Sequence, residues 1–438
     1  MICASPSETD GPVKSIADPS AKVHFLGKYR FAALLLLFSL AAGLQAQAVH
    51  APPTASANTN PTRPEATIPV GPQGYLPPGD LPAFSYYALV ELHFLDADHL
   101  MFVFNVPALL KRDDNCPTSE SQRMVRALVL QLPSGQVQKR ADWELYDFSD
   151  FLWKLGDGKL LLRRCNRLES VGADLQPQPL IEGTGTIEDV SFSPDHSIVV
   201  VQEKAAPSAD DKSSGAFPSI LAEGTVAQRT KVDFIRLHPP QMIAHAEIPV
   251  PSDIPVTSKG ILEVLTAPNN QWVVNMQLFH GTQQQVGTIH SVCVPGIRSI
   301  TDNVLLATTC PKEDEKVFQG YNIQGALLWE IPRPPDQYLP ELIAIPKGAH
   351  FAIESLHLKR PRAALDPLTK DDVEGEDIDI YDTLSGVRIA TFQTTPVYTG
   401  GDNVAFSPDG TRMAVLHDSA IEIYDLANLE KAQQGAPR

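Results

Sequence analysis

The stretch Gly400–Leu426, GGDNVAFSPDGTRMAVLHDSAIEIYDL, most constrains what this chain can fold into. It reads as three short strands joined by two tight turns. Val404 and Phe406 lie in the first strand, Ser407-Pro408-Asp409-Gly410 turns the chain, and Met413, Val415 and Leu416 lie in the second. His417-Asp418-Ser419 turns it again before Ile421, Ile423 and Tyr424. The proline ring pre-sets φ for the first central turn position, an aspartate there bonds to its own backbone, and glycine takes a positive φ at no steric cost. Ile421 and Ile423 on either side of Glu422 give the period of two of a strand with one apolar face. A helix over the same residues would hold Pro408 and Gly410 in its interior, which is costly.

Weaker copies of this pattern recur upstream. Ile187–Val201 contains Phe192-Ser193-Pro194-Asp195-His196, with His196 where the other copy has Gly410. Ile380-Tyr381-Asp382 matches Ile423-Tyr424-Asp425. The FSPDG-type turn followed by an apolar run, and the IYD ending, resemble the repeat of bacterial TolB-type and WD-like β-propellers. The resemblance implies an all-β propeller serving as a binding platform in the bacterial envelope, and it implies no particular partner. The Gly-His and Trp-Asp pairs of standard WD repeats are absent, so the hydrogen-bonded tetrad of that family is not carried over.

Units of roughly 40 residues with four strands each are the signature of propeller blades. First hairpins mark seven units, beginning near Leu89, Asp150, Ile187, Leu262, Ile297, Glu341 and Val404. The fold expected is therefore an all-β propeller of seven four-stranded blades, with six as the runner-up because the unit at Ile297 is irregular. Two inserts, Glu203–Thr230 and Leu358–Asp377, read as loops off one rim. The last blade stops after three strands. A strand from the other end of the chain would close the ring and leave no open edge. The tract Ala66–Ala83 is the place for it, although Pro69, Pro77 and Pro78 weaken it as a strand.

The N-terminus reads as an export signal. Lys28 and Arg30 precede the apolar core Phe31–Leu44, and Ala46-Gln47-Ala48 fits the small-x-small cleavage rule. The apolar run is short for a membrane span. The expected organisation is a signal region at 1–48, a Pro/Ala-rich linker at 49–83 that includes the ring-closing tract, the propeller at 84–426 and a tail at 427–438. Cleavage after Ala48 would leave no stable membrane span and place the protein in the periplasm or outside the cell; an uncleaved anchor is the alternative. Cys116, Cys165, Cys293 and Cys310 remain in such a mature chain. An even number in an exported protein suggests disulfides, and four cysteines allow three pairings. Cys116 and Cys165 hold similar places in consecutive repeats, and Cys293 and Cys310 are close in sequence across a repeat junction, which favours 116–165 and 293–310, with four buried free thiols as the alternative.

A formal net charge of −17 argues against a nucleic-acid partner, which needs clustered cations. The chain holds no GxSxG, GxGxxG, P-loop or HExxH pattern. His93, His99, His280 and His290 lack metal-ligand spacing. Asp371, Asp372, Glu374, Glu376, Asp377 and Asp379 lack EF-hand spacing and read as a solvated acidic loop. Asp96, Asp98, Asp157, Asp195 and Asp409 recur in first turns, which marks turn chemistry. Trp143, Trp153, Trp272 and Trp329 read as packing residues. No catalytic residue, metal or cofactor is expected. The expected function is a monomeric scaffold that binds a protein, peptide or other ligand. The alternative is a propeller hydrolase, lactonase- or glycosidase-like, with its site at the channel mouth. Propeller peptidases need an α/β-hydrolase domain for which this chain has no length.

Overall fold

In the structure, a computed structural model, the described residues are 63–77, 90–110, 116, 122–146, 150–204, 229–248, 252–312, 315–334, 337–345, 348–360, 372–394 and 403–429. The signal region, linker residues 49–62, much of both inserts and tail residues 430–438 lie outside them. Strand β1 is Ala66–Pro69. Blade one is β2 (Val90–Phe94), β3 (His99–Val106), β4 (Arg123–Gln131) and β5 (Gln136–Leu145). Blade two is β6 (Leu152–Gly156), β7 (Lys159–Arg164), β8 (Arg167–Val171) and β9 (Gln178–Glu182). Blade three is β10 (Thr186–Phe192), β11 (Ile198–Lys204), β12 (Thr230–Leu237) and β13 (Pro240–Ile248). Blade four holds β14 (Gly260–Ala267), β15 (Gln271–Leu278) and β16 (Gln284–His290). Blade five is β17 (Gly296–Thr301), β18 (Val304–Lys312), β19 (Glu315–Asn322) and β20 (Leu327–Pro332). Blade six is β21 (Gln337–Ala344), β22 (His350–Leu358), β23 (Val373–Asp382) and β24 (Arg388–Thr394). Blade seven is β25 (Val404–Phe406), β26 (Arg412–His417) and β27 (Ala420–Asp425), with β1 on its outer edge. The ring has seven blades, and the six-blade alternative falls away.

Strand alternation explains how the blades hold together. In β26, Ala414 and Leu416 pack toward blade one, while Met413 and Val415 pack toward blade six. In β11, Val199 and Val201 face blade two, and Ile198 and Val200 face blade four. The second strand of a blade is therefore apolar on both faces. Seven buried clusters each join two neighbouring blades, and one of them joins blade seven to blade one. Fully burying each such Val, Leu or Ile contributes about 1.5–3 kcal/mol. One small cluster, Leu356, Leu358 and Val373, lies within blade six alone; the seven larger ones lie between blades, so the stack is the main unit of stability.

Ring closure is antiparallel, with Ala66 opposite Ile423 and Ile68 opposite Ile421. Ile68 is buried among blades seven and one. Tyr75 then meets Phe102 and Phe104 edge-on, at centroid distances of 5.4 and 5.7 Å. Residues 426–429 form a helical turn whose Leu429 seals the cluster between blades six and seven.

Blade four departs from the sequence reading. β14 and β15 were expected to be its first hairpin, but they are its second and third strands. In blades one, three, five, six and seven, an N–H at or just past the end of the third strand donates to the first turn: Leu132 to Asp98, Leu237 to Ser197, Ile323 to Asn303, Thr383 to Ala349 and Leu426 to Thr411. Blade four repeats this bond as Phe279 to Lys259, which makes 257–260 its first turn. Residues 252–257 thus occupy the innermost place, held by one bridge, Val256 to Ile261, and by the Leu262 N–H on the Pro255 carbonyl. Pro255 has no N–H to donate to a ladder, so the segment is nearly featureless as a strand in sequence.

Candidate functional site: the channel mouth

Each innermost strand starts at one rim of the ring and ends in a tight turn at the other. The repeat motif builds the turn rim. Ser193 Oγ donates to Asp195 Oδ1 at 2.6 Å, and Ser197 donates to the same oxygen from its N–H and hydroxyl. Ser407, Asp409 and Thr411 repeat the network, with Ser407 Oγ on Asp409 Oδ1 at 2.6 Å. Pro194 and Pro408 sit in these turns, and His196 takes a φ of +56° where Gly410 takes +71°. Thr257 and Thr301 supply the equivalent hydroxyl acceptors in blades four and five. Burial pushes the Asp195 carboxyl up, but its Ser193 and Ser197 donors hold it below its ordinary value. Asp96 is likewise held down by His99 and by the Asp98 N–H, against its burial. These carboxylates are consumed by the turns.

The opposite rim is the mouth, and five consecutive blades each place one charge there: Asp150, Asp189, Asp253, Arg298 and Glu341. Arg298 Nε donates to Asp253 Oδ2 at 3.1 Å. Asp189 accepts from Gln202 Nε2 at 2.8 Å, and the same amide reaches the Ser252 carbonyl, which ties the inner segment of blade four to blade three. Two of the strands carry a register shift at the acidic residue, β10 between Ile187 and Asp189 and β21 between Tyr338 and Glu341. Such bulges re-aim side chains, and Pro340, which has no N–H to donate, lies inside the second. Burial raises the Asp189 carboxyl, and Asp253 and Asp150 raise it further. Confinement raises Glu341; Arg298 opposes this, while Asp150 and Asp253 add to it. Glu341 keeps contact with water even though the channel wall crowds it. Among the described residues no hydrogen bond reaches its carboxylate.

The interface of blades five and six does not seal at this level. A cavity of ≈240 Å³ opens between β17 and β21, walled by Ile297, Leu306, Phe318, Leu342 and Ile353. Arg298, Asp253 and Glu341 stand at its lining, so an apolar slot carries a charged edge.

Other residues singled out from the sequence serve the scaffold. Cys116–Cys165 and Cys293–Cys310 are disulfides, with Cα–Cα distances of 5.6 and 5.5 Å, and both lie on the mouth side. His93 meets Glu91 at 3.2 Å in the buried inner strand of blade one. His99 pairs with Asp96 in a turn, and His280 and His290 are exposed. Trp329 stacks on Phe351 at 5.4 Å and donates to the Thr383 carbonyl; Trp143 is buried between blades one and two; Trp272 donates to the Ser291 carbonyl. Trp153 packs against the cluster of blades two and three. The acidic run corrects the sequence reading. Asp371 lies outside the described residues, but Glu374, Glu376, Asp377 and Asp379 belong to β23, and the last three are buried. Donors cover them: Thr394 and Asn403 on Glu376, His357 and Gln393 on Asp377, Gln337 and Thr391 on Asp379. Charge density in the sequence suggested solvent, whereas cross-strand donors on β22, β24 and neighbouring segments make burial affordable. Among the described residues no group of three or more His, Cys, Asp or Glu is arranged to hold a metal ion, and no helix is long and apolar enough to cross a membrane.

No protein-family model matches the sequence, and no curated protein matches it. Among solved structures the chain is similar to a TolB protein from Agrobacterium tumefaciens, at 15% identity and a TM-score of 0.37, over 65% of this chain and 94% of that one. It is similar to TolB from Acinetobacter baumannii at 10% identity and 0.34, over 75% and 77%. It is also similar to the acylaminoacyl peptidase of Pyrococcus horikoshii at 12% identity and 0.44, over 78% of this chain but only 53% of the peptidase, about half its length. The fold and the blade count rest on the strand topology itself.

Proposed function

We propose that this chain is an exported, non-enzymatic β-propeller that binds a protein or peptide of the cell envelope at its channel mouth. The observation that carries the reading is the charge placement: four carboxylates and one guanidinium share the mouth, and two of those carboxylates are raised partly by their own neighbours. Like charges crowded in a partly dry channel oppose one another, and a cationic partner relieves them. Export is supported by the apolar segment Phe31–Leu44 and by two disulfides in a chain with four mature cysteines. N-terminal analysis of exported protein is expected to begin at Val49.

The test is capture from an envelope extract. The wild type is expected to recover one partner. Asp150→Lys with Glu341→Lys should abolish the recovery, and Asp98→Lys on the turn rim should preserve it. Recovery that ignores the mouth charges overturns the reading. One observation favours the hydrolase alternative: burial raises the Glu341 carboxyl above its ordinary range, the direction a general acid needs. Turnover of aryl glycosides or lactones that disappears in Glu341→Gln would establish it.

A further inference from the structure

We infer that the slot between blades five and six is an anchor pocket for one apolar side chain of an extended peptide whose neighbouring residues are lysine or arginine. The inference deepens the proposed function and rests on it, since it places the peptide at the same mouth. Size comes first. The cavity holds ≈240 Å³. A dry cavity of about 150 Å³ already accepts benzene, whereas whole drug-sized ligands occupy pockets of about 300–1,000 Å³. The slot therefore has room for a phenyl or isobutyl group with part of its stem, and too little for an entire larger ligand. It suits one side chain of something that extends beyond it.

Chemistry comes second. Leu306, Phe318, Leu342 and Ile353 give the slot an apolar side against which an apolar group can pack, and Thr308 with the charged residues gives it a polar side of comparable extent. Glu341 and Asp253 flank the opening, and Asp150 and Asp189 lie near enough to act on them. Asp253 is engaged by Arg298, while no hydrogen bond reaches Glu341 among the described residues. A peptide placing a cation beside its anchor meets Glu341 first and lowers the repulsion across the channel. A peptide with an acidic neighbour meets the excess carboxylates instead. Charge complementarity thus selects the flank, and shape selects the anchor.

The slot lies beside an irregularity. The β21–β22 register shifts between Tyr338 and Glu341, Pro340 falls inside the shift, and Pro340, Glu341 and Leu342 all line the cavity.

The test is calorimetry on the full mature chain with a capped pentapeptide, Lys-Ser-Phe-Ser-Lys. The parent is expected to bind. Replacing Phe by Ala, or both Lys by Glu, should weaken binding at least tenfold. Glu341→Gln, which keeps the side-chain volume, should weaken the parent several-fold and narrow the gap between the Lys and Glu peptides. Leu342→Phe should exclude the Phe anchor; if that variant folds poorly by thermal unfolding, the Glu341→Gln comparison decides. Equal binding of the Lys and Glu peptides, or binding of 4-phenylbutylamine with none of the peptide, overturns the inference. If these peptides fail while mouth charges still govern envelope capture, the pocket falls and the binding face stands. If the peptides bind while capture ignores the mouth charges, the reverse holds.

Discussion

The two rims of this ring use the same residue type in opposite ways. On the turn rim, Asp195 sits among donors, and its carboxyl is held down. At the mouth, Asp189 sits among carboxylates, and its carboxyl is pushed up. The two lie on one strand and its outgoing turn, six residues apart. Identity therefore does not fix a carboxylate's role; its neighbours do. The rims also differ in how they are held. On the turn rim, the first turns of blades one, three, four, five and seven are stitched by their own side chains. The mouth rim carries the long connections, and it carries both disulfides. The rim where carboxylates oppose one another is thus the one that carries covalent staples.

This contrast predicts the largest effect at the staples. Cys116 and Cys165 are 49 residues apart, and Cys293 and Cys310 are 17 apart. Loop-closure entropy assigns such bridges about 4 and about 3 kcal/mol respectively. Ala pairs at each bridge should lower the urea midpoint in that order. Equal and negligible losses would show that the mouth needs no staple. An intermediate effect is expected on the turn rim. Asp195→Ala strands the hydroxyls of Ser193 and Ser197 and the Ser197 N–H, at a cost of about 1–3 kcal/mol. Asp195→Asn keeps one acceptor oxygen and should lose less. Hydrogen exchange should localise the loss to blade three and its neighbours.

What the sequence made legible follows the same division. Blade seven was readable because Pro408, Gly410 and the Ile421–Ile423 alternation all act locally, within one hairpin. The turn role of Asp195 and Asp409 was readable for the same reason. The inner segment of blade four was not, because Pro255 leaves it a single bridge and its place is set by Phe279 and Lys259, some 20 residues on and just beyond it. The mouth was not readable either. Its five charges come from five blades, with no spacing in the chain that relates Asp150 to Glu341. A local signal did exist at Pro340, a proline within an apolar strand next to an acid. The burial of Asp377 and Asp379 depends on donors from His357, Gln393, Gln337 and Thr391, which only the folded sheet brings together.

The smallest effect has the most diagnostic sign. Asp195 has a folded value below its unfolded one, so its contribution to stability is present above the ordinary carboxylate range and is lost as pH falls through the folded value. Asp189 and Glu341 have folded values above their unfolded ones, so the folded state binds more protons across that window, and stability falls as pH rises from the ordinary value to the raised one. Asp189→Asn keeps an acceptor for Gln202, and Glu341→Gln keeps the shape of the mouth. The double variant should match the wild type in acid, where both carboxyls are protonated, and exceed it modestly near neutral pH. Asp195→Asn should do the reverse, matching in strong acid and falling below the wild type at neutral pH. Opposite slopes in parallel urea titrations would confirm that the mouth is held against its own electrostatics. A double variant less stable than the wild type at neutral pH would mean that Asp189 and Glu341 are already compensated, and the case for a cationic partner would lose its physical motive.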